Sequence, residues 1–436
     1  MVSESNDVFK KRMSRRQAIS STAAGAIAGV VVGGLIGYFS GSTTASAKTV
    51  TETVTTGGQI VTQKLPDPIK IGVMCDLSGP IGPVGSHFYK GAELATKITN
   101  DTGGIGGSQV RLILEDTKSD PQVALEAARK LIEIDGVQVI VGPITSVATL
   151  TIASYVNDRK VPIIATIATS PKITQLGDDY VFRVAASNTK TDAAAAVDFF
   201  KDKEISRLVT FVVTDDYGMG VEEFVKGQLG GRVVASIRID PKMGDFRAEL
   251  ERVKAANPDA ILWTIWIENA QIVFRQAMDM GLSVPLSLSG NTLYNKVLFE
   301  DPKTAEFTQA SNLHVINEKV AKGTHIYDTF SSAFKAMFNE DPWEPGAKAY
   351  YDACMLAMMA IAKAGAYDGQ KIKESLISVS QHYLGPSGFL AFDRNGDRLI
   401  VPEQHIYKVG TGTKEKYEFQ PVAEWDPLSG KVRWYR

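Results

Sequence analysis

Hydroxyl-bearing side chains cluster in short segments in the first half of this 436-residue chain. Thr145 and Ser146 are adjacent in the segment GPITSVA, and Thr169 lies in the segment TIATSPKIT. Hydroxyls beside unpaired backbone N–H groups can hold a carboxylate or carbonyl oxygen, and each charge-assisted hydrogen bond is worth about 1.5 to 3 kcal/mol. One of the two adjacent residues can instead serve only as a helix N-cap. These residues favour reversible binding of an oxygen-bearing group.

Aromatic side chains mark comparable segments in the second half of the chain. Tyr217 lies in TDDYGMG and Trp266 in WIEN, and Asn291 follows in SGNTLYN. Aromatic faces can close over a ligand and add apolar contact or attraction for a cation. Tyr217 can equally be the first residue of a packed helix, and Trp266 a core residue. We expect both to face a ligand.

Catalytic and cofactor signatures are missing from the sequence. It contains no P-loop, GxSxG or HExxH string, and its five histidines are scattered. The glycine cluster at 103–107 precedes a predicted strand, which is the reverse of the dinucleotide-binding order and predicts a tight turn instead. Cys75 and Cys354 lack metal-ligand spacing, so we expect two buried free thiols. No catalytic residue, metal or cofactor is expected.

The elements that position these residues alternate strictly between strand and helix. A first set of strand-like runs is predicted at 69–74, 110–115, 137–142, 161–166 and 180–186, with helices at 84–100, 121–134 and 146–158. A second set is predicted at 208–213, 233–239, 260–266 and 284–289, with helices at 217–229, 245–256 and 268–280. Parallel strands need crossover connections, so each set predicts a parallel sheet covered by helices. The segments listed above follow strand ends, where such sheets bind ligands.

The last part of the chain returns to helices at 325–338, 346–365 and 369–379 and closes with β-like segments at 386–409. This order suggests that the chain crosses back between the two units. The predicted fold class is therefore α/β with two Rossmann-like lobes. Lobe 1 is predicted at 67–187 plus 320–382, and lobe 2 at 188–319 plus 383–436.

The first 66 residues differ from all that follow. Five basic residues within 10–16 precede a charge-free run whose apolar centre spans 23–39, which is the plan of a secretory signal or a membrane anchor at 1–47. The string SRRQAI partly matches a twin-arginine signal. Residues 48–66 are rich in threonine and are expected to form a linker. Either alternative for 1–47 places the remaining chain outside the cytoplasm.

Composition excludes a further class of function. Lys plus Arg number 47 against 49 for Asp plus Glu, so the chain lacks the basic field that attracts nucleic acid. We expect no nucleic-acid partner.

The ordered strings of the chain resemble the type I periplasmic solute-binding proteins of branched-chain amino acid ABC transporters. The resemblance covers about 67–410 and rests on IKIGVMCDLSGPIGPVG, VIVGPITSVAT, VPIIATIATSP, DDYGMG and GPSGFLAFDRNGDR, among others. It implies two lobes joined by three hinge crossovers that close over a ligand, and docking of the closed form on permease subunits in the membrane. A monomer is expected.

The resemblance also implies ligand-binding residues. Ser146, Thr169 and the backbone around Ile167 and Ala168 would hold a carboxylate, with Thr145 beside them, while Tyr217 and Trp266 come from the other lobe. Two positions depart from the family pattern. Amino-acid binders usually carry an acid near Gly290 or Asn291 to hold the ammonium group, and Val84 stands where they often carry an aromatic residue. Asn291 and Val84 are therefore also expected in the binding site.

The departure near Gly290 leaves the ligand class open. Either another acid, such as Asp215 or Glu268, replaces the missing one, or the ligand lacks an ammonium group. We expect a solute-binding component of an ABC importer for a branched-chain or related amino acid. The alternatives are an amide, urea or an aromatic or aliphatic carboxylic acid as ligand, or a ligand-sensing module of the same fold.

Overall fold

The computed structural model describes residues 54–56, 59–61, 64–79, 81–177, 180–319, 323–343, 345–409 and 418–435. The predicted signal or anchor at 1–47 lies outside these residues, as does most of the predicted linker. Two short strands fall within the linker, β1 (Val54–Thr56) and β2 (Gln59–Val61), and they pair antiparallel. Across the described ranges, no helix is both long and apolar enough to cross a membrane.

The first lobe is built on a five-stranded parallel sheet with the order β4-β3-β5-β6-β7. Its strands are β3 (Ile69–Cys75), β4 (Val110–Asp116), β5 (Ile140–Val141), β6 (Ile163–Ala165) and β7 (Val181–Arg183). Helices connect successive strands, as parallel pairing requires: α1 (Gly82–Asp101), α2 (Pro121–Arg129) and α3 (Ser146–Arg159). A π-helical turn, Lys130–Ile134, extends α2.

The second lobe is built on an eight-stranded mixed sheet with the order β17-β16-β15-β12-β11-β10-β8-β9. Its parallel part contains β8 (Leu208–Val213), β9 (Val233–Ile239), β10 (Ala260–Thr264), β11 (Leu286–Ser289) and β12 (Leu313–Glu318). Antiparallel strands β15 (Gln404–Val409), β16 (Phe419–Asp426) and β17 (Lys431–Trp434) extend it. Its helices are α4 (Asp192–Asp202), α5 (Asp216–Leu229), α6 (Arg247–Ala256), α7 (Ile267–Asp279) and α8 (Pro302–Ala310).

Three later helices return to the first lobe. They are α9 (His325–Phe338), α10 (Gly346–Ala364) and α11 (Gly369–Ser380), followed by a small hairpin of β13 (Leu384–Gly385) and β14 (Gly388–Phe389). Their apolar side chains join the core of the first sheet, and α10 is buried along most of its length because it packs against α1 and α11. The second sheet has a separate apolar core.

The chain passes between the lobes three times: after β7, after β12 and between β14 and β15. The buried Arg398 lies in the third passage and connects it to the first two passages and to the β13–β14 hairpin. Its guanidinium donates to Val184 O at 3.4 Å, to Glu318 Oε1 at 3.4 Å and to Ser387 O at 2.7 Å. Two sheets with three connections confirm the predicted fold class of two Rossmann-like lobes.

Several elements were not predicted from the sequence: α4, α8, β12, β16 and β17. Helix α4 reads DAAAAVDFFKD, in which small and large apolar residues are too continuous to give a clear helical period. The C-terminal strands bury only part of their surface, so their apolar alternation is weak. Leu390 and Phe392, which the predicted boundary at 383 assigns to the second lobe, pack instead in the core of the first.

The cysteine and glycine interpretations agree with the structure. Cys75 and Cys354 are buried free thiols, and burial raises the pKa of Cys75 to about 12. The glycines at 103, 104, 106 and 107 all have positive φ angles, in the turn between α1 and β4. Glycine tolerates these angles without a steric penalty.

Candidate ligand-binding site

One pocket lies between the lobes and is lined by residues from both. It contains roughly 300 Å³ of empty space, part of it open to solvent. The lining residues are Ile144, Ser146, Ile167, Thr169, Tyr217, Trp266, Asn291 and Thr292. The structure therefore brings together six side chains that the sequence pointed to, from loops at the carboxyl ends of both sheets.

Ser146 is the first residue of helix α3 and is buried. Its Oγ accepts a hydrogen bond of 3.1 Å from the Ser170 amide. Since the oxygen is the acceptor in this bond, the hydroxyl proton can still be donated to a ligand. The N-terminus of α3 adds a partial positive charge at the same place, which favours a carboxylate.

Gly142 shapes the approach to this helix. Its φ is +96°, and a Cβ at this position would overlap the Met74 carbonyl oxygen. Only glycine allows β3 and the loop before α3 to lie this close. The close approach places the helix N-terminus directly beyond the strand ends.

Thr169 lies in the next loop of the same lobe and is also buried. Its carbonyl oxygen accepts the Asn188 amide at 2.9 Å, which fixes the loop against the first passage between the lobes. Its side chain lines the pocket, as does that of Ile167. Thr169 and Ser146 thus both line the pocket from the first lobe, and each carries a hydroxyl group.

Tyr217 and Trp266 form the opposite side of the pocket. Their ring centroids lie 5.1 Å apart at an angle of 33°. Trp266 is the N-cap residue of α7 and packs against the cores of both lobes. Its indole Nε1 donates a hydrogen bond of 2.9 Å to Asp215 Oδ2.

Asp215 is occupied by structural contacts. It is the N-cap of α5, and its Oδ1 accepts the Gly218 amide at 2.8 Å while Oδ2 holds Trp266. Burial raises the pKa of Asp215 to about 6, although these hydrogen bonds act in the opposite direction. In the structure, Asp215 therefore supports the Trp266 side chain through this hydrogen bond.

Three predicted site residues do not line the pocket. Thr145 is the N-cap of α3, since its Oγ1 accepts the Ala148 amide at 3.3 Å. Ala168 is buried and packs in the core beside β6 because it faces away from Ile167 and Thr169. Val84 is buried on α1, in the core of the first lobe. In this structure these three residues make packing and capping contacts, and a role for them in binding stays a prediction.

Sequence reasoning missed two lining residues, Ile144 and Thr292. Both lie in segments that the sequence analysis had already singled out. Their positions next to Thr145 and Asn291 were the sequence feature that could have identified them. The Thr292 and Tyr217 hydroxyl groups are neighbours, and neither has a hydrogen-bond partner of good geometry among the described residues.

Two further carboxyl groups, Asp76 and Glu268, belong to opposite lobes. Within the described ranges, none of their carboxyl oxygens has a hydrogen-bond partner of good geometry. Burial raises the pKa of Asp76, despite the nearby Thr117 and Ser119. Burial also raises the pKa of Glu268 to about 7, and the Asp76 charge adds to this effect.

Contacts between the lobes flank the pocket. Lys172 Nζ of the first lobe forms an ion pair of 2.9 Å with Asp216 Oδ1, the first residue of α5. Nearby, Gly220 packs closely against Pro171. A Cβ on Gly220 would lie 3.2 Å from Pro171 Cδ.

Among the described residues, no group of three His, Cys, Asp or Glu side chains could hold a metal ion. The site has the features of a binding cleft.

Known proteins share this architecture and are similar in sequence over most of the chain. The sequence pattern of the periplasmic binding protein family matches residues 68–413. The leucine-, isoleucine-, valine-, threonine- and alanine-binding protein of Pseudomonas aeruginosa is 27% identical over 337 residues, which cover 76% of this chain and 87% of that protein.

Two solved structures are also similar. The leucine-binding protein LivK of Thermotoga maritima superimposes with a TM-score of 0.71 and 26% identity, over 83% of this chain and 99% of that one. LivJ of Streptococcus pneumoniae, in complex with isoleucine, gives a TM-score of 0.70 and 25% identity, over 82% of this chain and 99% of that one. With the family pattern matched over most of its length, this chain belongs to the periplasmic binding protein family.

Proposed function

We propose that this protein is the extracytoplasmic solute-binding component of an ABC importer and that it captures a branched-chain or related amino acid. The observation that carries the proposal is the pocket itself: Ser146 and Thr169 of one lobe face Tyr217 and Trp266 of the other. The two hydroxyls and the N-terminus of α3 suit a carboxylate, and the aromatic rings suit an apolar side chain. The relatives named above bind amino acids of this kind.

Binding proceeds by closure of the lobes. The ligand first docks on the side of Ser146 and Thr169, and the second lobe then brings Tyr217 and Trp266 over it. A ligand shifts the population toward the closed form only by its difference in affinity for the two forms. The Lys172–Asp216 ion pair exists only when the lobes meet, so it adds to closure, although an exposed pair contributes only about 0 to 1 kcal/mol.

The closed form delivers the ligand to permease subunits in the membrane. Delivery requires release of the ligand unchanged, so the protein acts by binding without turnover. The segment 1–47 exports the chain or holds it at the membrane, and residues 48–66 separate it from the lobes.

A thermal-shift screen of the full-length chain in a mild detergent tests this function. The ligands are the twenty amino acids, acetamide, urea, benzoate and 4-methylpentanoate. A ligand present at a hundred times its Kd stabilises the folded state by about 2.7 kcal/mol. We expect leucine, isoleucine or valine to give the largest rise in Tm. A rise with urea, acetamide or benzoate, and none with any amino acid, would contradict the proposal.

A further inference from the structure

Gly290 opens the loop that carries the pocket residues Asn291 and Thr292. Its φ of −74° is accessible to any amino acid, so backbone conformation does not require glycine here. A side chain is excluded for another reason. A Cβ at Gly290 would overlap Oδ2 of Asp192, the first residue of α4. The Asp192 carboxylate therefore fills the space that a side chain at position 290 would occupy.

Asp192 is 6% exposed. Its Oδ1 accepts a hydrogen bond of 3.2 Å from Thr191 Oγ1, and the amides at the start of α4 also stabilise its charge. Within the part of the chain that the structure describes, Asp192 forms no ion pair with a Lys, Arg or His side chain. Burial raises the pKa of Asp192 to about 6, and among the described residues the carboxyl group has no cationic partner of its own that would offset this rise.

The Tyr217 hydroxyl connects this carboxylate to the pocket. Tyr217 lines the pocket, is 4% exposed, and its Oη lies 3.3 Å from the position of a Cβ on Gly290. After burial, the Asp192 charge is the largest cause of the raised pKa of Tyr217. A buried carboxylate and a buried hydroxyl without a partner thus meet beside the loop of the second lobe that lines the pocket.

We propose that Asp192 and the Tyr217 hydroxyl bind the ammonium group of the ligand, approached past the bare Cα of Gly290. This inference rests on the proposed function and narrows it. Ser146 and Thr169 hold the negative end of the ligand on the first lobe, and Asp192 holds the positive end on the second. Such a site is complementary to a zwitterionic α-amino acid, whereas a simple carboxylic acid leaves Asp192 without a cationic partner.

Isothermal titration calorimetry of the full-length protein at pH 7.5 tests the assignment. The probes are L-leucine and 4-methylpentanoate, which has the same carbon skeleton and carboxylate but no ammonium group. Removing one partner of a buried charge pair weakens binding by about 30-fold to 5000-fold. We expect Asp192→Asn to lose leucine affinity by such a factor and to leave the weaker binding of 4-methylpentanoate unchanged. Asp198→Asn, on the same helix, is the matched control.

A double variant that exchanges the acid between the two positions distinguishes loss of the ammonium site from simple misfolding. In Asp192→Ala combined with Gly290→Glu, the acid returns to the same space from the opposite element, and we expect leucine binding to recover relative to Asp192→Ala alone. Leucine affinity unchanged in Asp192→Asn would overturn the inference while leaving the proposed function intact. Wild-type protein that binds 4-methylpentanoate as tightly as leucine would overturn it too. Failure of the wild type to bind any amino acid would overturn the proposed function itself, and the inference with it.

Discussion

The indole Nε1 of Trp266 donates a hydrogen bond of 2.9 Å to Asp215 Oδ2, while Oδ1 of the same carboxylate caps helix α5. One side chain thus fixes both the aromatic wall of the pocket and the helix that carries Tyr217. The two aromatic residues therefore depend on a shared support.

Asp215→Ala tests this shared support. The variant removes the N-cap and leaves the indole N–H unpaired, so we expect the free energy of unfolding to fall by about 1 to 2 kcal/mol and leucine affinity to fall with it. Asp215→Asn retains an acceptor oxygen and should lose less of both quantities. Urea denaturation and calorimetry measure the two effects, and equal affinities in wild type and Asp215→Ala would show that Trp266 needs no such support.

Ser146 and Thr169 are predicted to hold the ligand carboxylate. We expect Ser146→Ala and Thr169→Val each to weaken leucine binding by about 1.5 to 3 kcal/mol, because each removes a charge-assisted hydrogen bond. Ser146→Ala also leaves the Ser170 amide without its acceptor, so its unfolding free energy should fall by about 1 kcal/mol.

Thr151→Ala on the same helix is the control, since that hydroxyl donates to Val147 O away from the pocket. Titration calorimetry separates the variants. If the combined Ser146→Ala and Thr169→Val variant kept wild-type affinity, the carboxylate would have to bind elsewhere.

Arg398 is predicted to hold the three passages together. Glu318 is partly buried and lies between Arg398 and Lys348, whose Nζ lies 3.2 Å from Glu318 Oε2. Burial alone would raise the pKa of Glu318, but the two cations lower it below its usual value. Arg398→Ala leaves this carboxylate with one cation and removes the donor that ties the third passage to the first two, so we expect a loss of about 3 to 5 kcal/mol in unfolding free energy.

Arg433→Ala serves as the comparison for this variant. Arg433 is exposed and pairs with Glu424 at 3.5 Å, so its loss should change stability by less than about 1 kcal/mol. Guanidinium chloride denaturation measures both variants. A loss for Arg398→Ala as small as that for Arg433→Ala would argue against a role at the hinge.

Glu268 predicts a pH dependence of stability. Its pKa rises from about 4.5 in the unfolded chain to about 7 in the folded protein, because burial disfavours the charged form. The folded state therefore holds the proton more tightly, so the stabilising contribution is complete below about pH 4.5 and is lost as the pH rises through about 7. Glu268→Gln stays neutral and should be more stable than wild type at pH 8, by about 1 to 3 kcal/mol.

Urea denaturation of both proteins between pH 4.5 and pH 8 measures the difference, which should shrink toward the acid end. Glu126→Gln, at an exposed position on α2, is the matched control. A constant difference between wild type and Glu268→Gln over this range would contradict a buried, ionising Glu268.

The sequence by itself determined the two α/β lobes and the loops at their strand ends. Strand and helix periods are local properties of the chain, and parallel pairing makes alternation between them visible in one dimension. For this reason β3, β8 and α9 were predicted within one or two residues of their observed ends. Ser146, Thr169, Tyr217 and Trp266 were singled out because they stand beside such ends, and all four line the pocket.

Only the tertiary structure decided which acids surround the pocket and what each contacts. Asp215 was a candidate from the sequence for binding the ammonium group. In the structure its carboxylate instead accepts hydrogen bonds from the Trp266 indole and from the Gly218 amide of its own helix. Asp192 went unnoticed because α4 was not predicted and because it lies far from Gly290 in sequence. A Cβ at Gly290 would overlap Asp192 because the first passage between the lobes meets the loop after β11 at this point. Such contacts depend on how separate segments pack, and the local pattern of residues carries no information about them.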